Sequence, residues 1–379
     1  MRQIIALGAA VALASCATGP VVEDTGPSPA RLAELAKFTP APTGSVQKID
    51  YDVIDEFLDL TVIDLGPSTR RREQRPPPPS GSRLTKGHDS PIRLEGNKVV
   101  FSEFTPDVEK AAREYAESLE TIGNRIDIEE LARNQQLVYW FNLHNITLMA
   151  VLAERYPVVE PSRMLVDGVL LHDAPLIEID GVTLSLRDIR EEIVYKNWED
   201  PRVIYGFWHG DLAGPSILTS AWNAGTLNSD LNKNADEFVN SLRGVDGVGK
   251  RSLGVSPIYK EAQSALFANW PRDLRMHLEK FGEGEVAELL QKRGTVVWLP
   301  YERTISDLSG GEPYPGPRPG VEALSGDDLS TGSPARQRML REMVFKFGDP
   351  SYWQRRRATV TILDGDDTGE DPEETEEIE

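Results

Sequence analysis

Apolar residues settle into a clear rhythm after residue 105, where Val108, Ala112, Tyr115, Leu119 and Ile122 follow at spacings of four and three, the stripe of an amphipathic helix. Thr105-Pro106-Asp107 supplies its start: a capping hydroxyl, a proline in the first turn and an acid at the positive end of the helix dipole. Asp127 and Glu130 have the spacing of a capping box for a second helix that runs to the approach of Pro157. Its apolar set, Leu137, Val138, Trp140, Phe141, Leu143, Leu148, Met149, Val151 and Leu152, covers nearly every direction, so this helix is expected to be buried all round and to form the spine of the fold.

The remaining patterns mix helix and short strand. Lys98 to Phe104 and Arg202 to Trp208 read as strands. Ile177 to Leu184 alternates about an Asp180-Gly181 turn and predicts a hairpin, after which Ser185 caps a helix through Ile189 and Ile193. Lys260 to Phe281 is helical with an interruption at Pro271, Thr295 to Leu299 is a short β-branched strand, and Gly249-Lys250-Arg251-Ser252 is a surface turn. No βαβ rhythm runs through them, so the expected class is α+β: one central domain of helices and short strands over residues 98–308.

Less regular stretches flank that domain. Residues 16–50 read as a flexible tether, rich in Pro, Gly, Thr and Ala as far as Thr43. Residues 51–97 form an extension in which Val53, Ile54, Phe57 and Leu58, with Leu60, Val62 and Ile63, make a strand or a short helix. Arg70-Arg71-Arg72 and Pro76 to Pro79 then form an extended loop. Residues 309–363 are a Gly/Pro linker and C-terminal extension, and residues 364–379, with ten acids and no base, are a solvated disordered tail.

The first sixteen residues speak to location. Arg2, an apolar run from Ile4 to Ala14 and Leu13-Ala14-Ser15-Cys16 follow the order of a bacterial lipoprotein signal, with residues 1–15 removed and Cys16 acylated. The run is too short to span a bilayer roughly 30 Å thick. An ordinary secretory signal cleaved at Ala12-Leu13-Ala14 is the other reading. The expected home is the cell envelope, with the membrane as a partner through the lipid on Cys16 and, with Ala17 next, the outer membrane of a Gram-negative cell. Cys16 is the single cysteine of 379 residues, so the processed chain has no thiol nucleophile, disulfide or cysteine-bound metal. A formal net charge of -20 argues against a nucleic-acid partner, and a protein or small-molecule partner is left open.

Candidate chemistry gathers at a few polar residues. Asn142 and Asn145 are three apart on an otherwise apolar helix, where they either tie loop backbones to the core or line a pocket. His209 and Asp211 follow a strand-like run and are flanked by glycines, a setting that suits a general base and its orienting carboxylate. His172 with Asp173 is a second such pair, and His144 lies in the apolar helix. No His-x-x-x-His or His-Glu-x-x-His spacing points to a metal, Gly214-Pro215-Ser216 is not a nucleophile elbow, and Gly244 to Gly254 lacks the end of a phosphate loop. No cofactor is expected.

Four segments carry a family resemblance. Arg133 to Asn145, with Trp140-Phe141-Asn142-Leu143-His144-Asn145 at its heart, resembles the signature helix of the family called domain of unknown function 547, whose usual core is Trp-Ile-Asn-Leu-Tyr-Asn. Gly181 to Ile189 is similar to its hairpin-to-helix segment, Asp200-Pro201-Arg202-Val203 to the start of its central strand, and Leu299-Pro300-Tyr301 to its closing motif. The family's usual loop resembles Asn-Cys-Ala-Ser-x-Ser-Cys-Pro, whereas this chain has Trp208-His209-Gly210-Asp211-Leu212-Ala213-Gly214-Pro215, and Glu302-Arg303 stands where Asp-Trp is usual. The resemblance implies no particular reaction. Two functions follow: a membrane-tethered binding or scaffold domain that has lost the loop cysteines, or an envelope hydrolase or transferase using His209 as base with Asp211 or Asp173 as its orienter.

Overall fold

Helix α4, Arg133–Arg155, is buried at every position from Gln136 to Ala150, as its all-round apolar pattern requires. Trp140, Phe141, Leu143, Leu148 and Leu152 have essentially no exposed surface, and each such side chain contributes about 1.5–3 kcal/mol of burial. A computed structural model describes residues 27–75, 88–312 and 334–348. The expected signal peptide, Cys16, Pro76 to Pro79 and the acidic tail lie outside the described residues.

The chain reaches α4 through α1 (Pro29–Leu35), α2 (Asp52–Thr61), β1 (Val62–Ile63), β2 (Lys98–Val99) and α3 (Pro106–Gly123). It continues through the hairpins β3 (Leu165–Val166) with β4 (Val169–Leu170) and β5 (Ile177–Ile179) with β6 (Val182–Leu184). A wide π-type helix, Asp188–Val194, runs on into α5 (Tyr195–Asn197), and α6 (Leu227–Val239) follows. After β7 (Val245–Val248) and β8 (Ser252–Val255) come α7 (Ile258–Glu261), α8 (Gln263–Leu266), α9 (Arg272–Phe281), α10 (Gly284–Lys292), β9 (Thr295–Trp298) and α11 (Pro334–Gly348). β8 lies between antiparallel β7 and parallel β9, and the other sheets are two-stranded, so the class is mixed α+β.

Several local signals behave as expected. Thr105 Oγ1 accepts from the Val108 N–H, and α3 then packs along α4 so closely that a Cβ on Gly123 would lie 2.2 Å from Tyr139 Oη. Asp180 and Gly181, at φ 50° and 71°, make the tight turn between β5 and β6. Ser185 Oγ accepts from the Asp188 N–H while the Asp188 carboxylate accepts from the Ser185 N–H, a reciprocal cap that fixes the start of the wide helix. Residues 249–251 turn between β7 and β8, and the Lys260 to Phe281 stretch is broken into helices on both sides of Pro271.

Other expectations are corrected. Asp127 and Glu130 do not cap α4: Asp127 precedes a separate turn, Ile128–Glu130, and Gln136 Nε2 holds that turn by donating to the carbonyls of Glu129 and Leu131. Lys98 to Phe104 is a strand only at Lys98–Val99, because the Asp307 carboxylate accepts from the Phe101 N–H and draws the chain into the turn Phe101–Glu103. Arg202 to Trp208 is not a strand. Asp200 caps a 3-10 helix, Pro201–Gly206, by accepting from the Arg202 N–H, and this helix start prevails over the β-branched pair Val203-Ile204.

The expected boundaries shift for a hydrophobic reason. Residues 29–50 are not a free tether: Ser28 caps α1, Leu35 and Phe38 are buried, and the Phe38 ring meets Trp140 edge-on at 5.4 Å. Phe57 of α2 packs edge-on against Phe104 and Tyr115, and α11 returns to bury Met339 and Met343. One core therefore takes in segments on both sides of residues 98–308. No described helix is long and apolar enough to cross a membrane.

Two amides couple α4 to the loops that carry the site. Asn142 donates to the Trp222 carbonyl and accepts from the Trp222 N–H, both at 2.9 Å. Asn145 donates to the Gly206 carbonyl at 2.9 Å and accepts from the Trp208 N–H at 3.0 Å. Replacing Asn142 with Ala strands a buried N–H and a buried carbonyl, so chemical denaturation should show a loss of about 2–4 kcal/mol. Gly206 is set by contact with α4: an added Cβ would lie 2.2 Å from Cε1 of the buried Phe141 ring. Gly206→Ala should cost about 1–3 kcal/mol in the same measurement, and adding Phe141→Leu should recover part of that loss if the clash is its cause.

Candidate ligand-binding cavity

The Asn145 clamp fixes the backbone at Gly206 and Trp208, and the next residue is His209. Beyond it Gly210 has φ 79°, a conformation natural to glycine. The Gly210 carbonyl then accepts from the Ser306 N–H, and the N–H groups of Leu212 and Ala213 donate to the carbonyls of Thr304 and Glu302. The loop is thus held on one side by α4 and on the other by the chain after β9.

His209 forms part of the wall of a cavity of about 490 Å³. His172 and Asp173 reach it from the turn Leu171–Asp173, Arg187 from just before the wide helix, Arg190 and Glu191 from within it, and Lys260 and Glu261 from α7. Ser162 and Tyr301 complete the side beside the His209 loop. The π-type winding brings Arg190 and Glu191 to the cavity beside Arg187, the residue before it, in keeping with the tendency of such turns to occur at functional sites.

Arg190 organises the interior. Its guanidinium can only donate, and Nη1 lies 3.0 Å from His144 Nε2 and 3.2 Å from His172 Nδ1. Both imidazole nitrogens must therefore accept, which assigns the protons to the opposite ring atoms. His144 Nδ1–H then donates to Asn145 Oδ1 at 2.9 Å, and His172 Nε2–H donates to the His209 carbonyl at 3.2 Å. Burial first and the Arg190 charge second hold both histidines well below their ordinary pKa, so both are neutral. On its other side Arg190 Nε donates to Glu261 at 3.1 Å. Burial acts to raise the Glu261 carboxyl, but Arg190 outweighs it and keeps it below its usual value.

His209 differs from the other two. It is 2% exposed, its ring centroid is 5.7 Å from that of His172, and its Nε2 has no hydrogen-bond partner. Burial, then the charges of Arg190 and Arg187, push it far below the ordinary histidine range. Neither expected orienting carboxylate bonds His209 Nε2: Asp173 is held by Arg187, and both carboxylate oxygens of Asp211 are buried without a hydrogen-bond partner. Asp211 lies against Ser162 and Tyr301, where burial pushes its pKa well up. Glu191 also pairs with Arg187, and burial with neighbouring Glu261 raises it to about 7.

Of the residues singled out from the sequence, His172, Asp173 and His209 line the cavity. His144 stands behind them through Arg190, while Asn142 and Asn145 clamp backbones and do not line it. Arg187, Arg190, Glu191, Lys260 and Glu261 were not anticipated. A signal for Arg190 was present: it falls within the apolar series Leu186, Ile189 and Ile193, where a charge needs a buried partner. Among the described residues, no group of three or more His, Cys, Asp or Glu side chains is arranged to hold a metal ion.

Residues 128–239 match the family model described as "Protein of unknown function, DUF547". No curated protein and no solved structure matches the chain. The matched segment holds α4, the wide helix and the His209 loop, whereas Glu261 and Tyr301 of the same cavity lie beyond it. The chain thus carries a DUF547 domain at residues 128–239.

Proposed function

We propose that this chain is a lipid-anchored binding protein of the bacterial cell envelope, tethered through Cys16, whose cavity beside His209 takes a small polar ligand without turning it over. The observation that carries this reading is the setting of His209: the residue lines a roomy cavity, its Nε2 is buried without a partner, and its nearest charges are arginines. A general base needs a group that orients it and stabilises its protonated form. The two aspartates available by sequence are turned to Arg187 and to Ser162 with Tyr301. The His209 loop carries no cysteine where the family resemblance has two, which removes thiol chemistry at that place.

Ser162 and Tyr301, hydroxyl-bearing residues that line the same cavity, favour a second reading, an envelope hydrolase or transferase with His209 as base. Incubating the full chain with ester, amide and glycan substrates separates the two. The binding reading expects no turnover above the blank, and robust hydrolysis abolished by His209→Ala would select the enzyme instead. The anchor has its own test. Cells fed a labelled fatty acid should label the protein and retain it in the membrane fraction, while Cys16→Ala should lose the label and leave the membranes. An unlabelled, freely diffusing wild-type product would defeat the anchoring half of the proposal.

A further inference from the structure

Strand β9 ends its sheet with one side unpaired. It bonds β8 in parallel and no other described strand, and all four of its residues, Thr295-Val296-Val297-Trp298, are at least partly exposed, Trp298 to 40%. The Leu299 N–H donates to the Val255 carbonyl, so in this register the odd-numbered residues bond β8 and the N–H and C=O groups of Val296 and Trp298 point the other way. Among the described residues no backbone group pairs with them there. The space at the start of the strand is open, since a Cβ added to Gly294 would meet nothing within 4 Å. An edge of this kind is normally blunted by a lysine, a proline or a bulge, and β9 contains none of them.

The chain holds a segment with the matching pattern. Ala358-Thr359-Val360-Thr361-Ile362-Leu363, outside the described residues, is dominated by β-branched side chains and has no charge, glycine or proline. The ten acids of residues 364–379 follow it directly. The surface where β9 begins has the opposite sign. Lys250 and Arg251 are exposed in the turn before β8, Ser252 of β8 is the register partner of Thr295, and Lys292 and Arg293 precede β9. The Arg293 guanidinium donates to the Gly249 carbonyl at 2.6 Å and so joins the two basic pairs.

We propose that residues 358–363 add to the free edge of β9 as a fourth, antiparallel strand. Antiparallel order carries the acids that follow Leu363 to the Lys250, Arg251 and Arg293 end, whereas parallel order would leave them beside Trp298. The reach is sufficient. Near the end of α11, Lys346 donates to the Leu94 carbonyl; Ser68 then bonds Glu95, and Arg70 bonds the Val245 carbonyl of β7. From β7 the edge of β9 is two strand spacings away, about 10 Å. The nine residues 349–357 span up to about 30 Å when extended. The added strand would cover Val296 and Trp298, and β9 leads through Leu299-Pro300 to Tyr301 in the wall of the cavity.

Hydrogen exchange of the full chain, read at single residues, tests this against Val360→Pro with Thr361→Pro. Two adjacent prolines cover both alternations of the strand, so one of them must remove a bond to β9. In the unaltered chain the Val296 and Trp298 amides should exchange at least about tenfold more slowly than in the proline variant. The Val297 amide, bonded to β8, should not change and reports that the sheet is intact. Lys250→Glu with Arg251→Glu, both in an exposed turn, should lose much of the same protection. Equal exchange of Val296 and Trp298 in the unaltered chain and the proline variant overturns the proposal. So does protection that grows with protein concentration as a dimer forms, which would give the edge to a second copy of the chain. Protection untouched by the two charge reversals overturns the antiparallel order.

Discussion

The structure depends on the burial of α4. A helix with no solvent-facing side over Gln136 to Ala150 has no surface on which a polar residue can rest, so each one must find its partner inside. Asn142, His144 and Asn145 meet that demand in different ways. The two asparagines bond the backbone of neighbouring loops, and His144 is bonded to Asn145 and Arg190. Hydrophobic burial thus supplies the stability, and the few polar groups that burial constrains decide where the loops go.

The same constraint sets the chemistry of the cavity. Arg190, almost wholly buried, is compensated on one side by Glu261 and flanked on the other by two imidazoles that must stay neutral to accept from it. His172 passes the chain of bonds to the His209 carbonyl, so the loop that α4 positions through Asn145 is also tied to Arg190. The series ends at His209, which lines the cavity and whose buried Nε2 has no hydrogen-bond partner.

Much of this was legible from local signals, and the exceptions have physical reasons. The spine helix, the Asp180-Gly181 hairpin and the Thr105 and Ser185 caps are written in periodicity and capping chemistry that act within a few residues. Arg202 to Trp208 was misread because Asp200-Pro201 starts a helix that outweighs two β-branched residues. Phe38 and α11 were assigned to irregular flanks because docking onto a distant core leaves no mark in local composition. The cavity was half visible. His172 and His209 stood out as histidines in loops, but Arg187, Arg190 and Glu261 converge on them from elsewhere in the chain, a convergence that only the fold creates.

The account stands on the charge state of one side chain. Histidine ring-nitrogen NMR of the ligand-free protein, followed through pH with His209→Gln to assign the resonance, measures it directly. The account predicts that His209 remains an uncharged imidazole at about pH 6, where an ordinary histidine is mostly protonated, and that His144 and His172 hold single, opposite tautomers. A His209 already cationic at that pH would mean that a carboxylate faces it, and would contradict both the geometry and the function drawn from it.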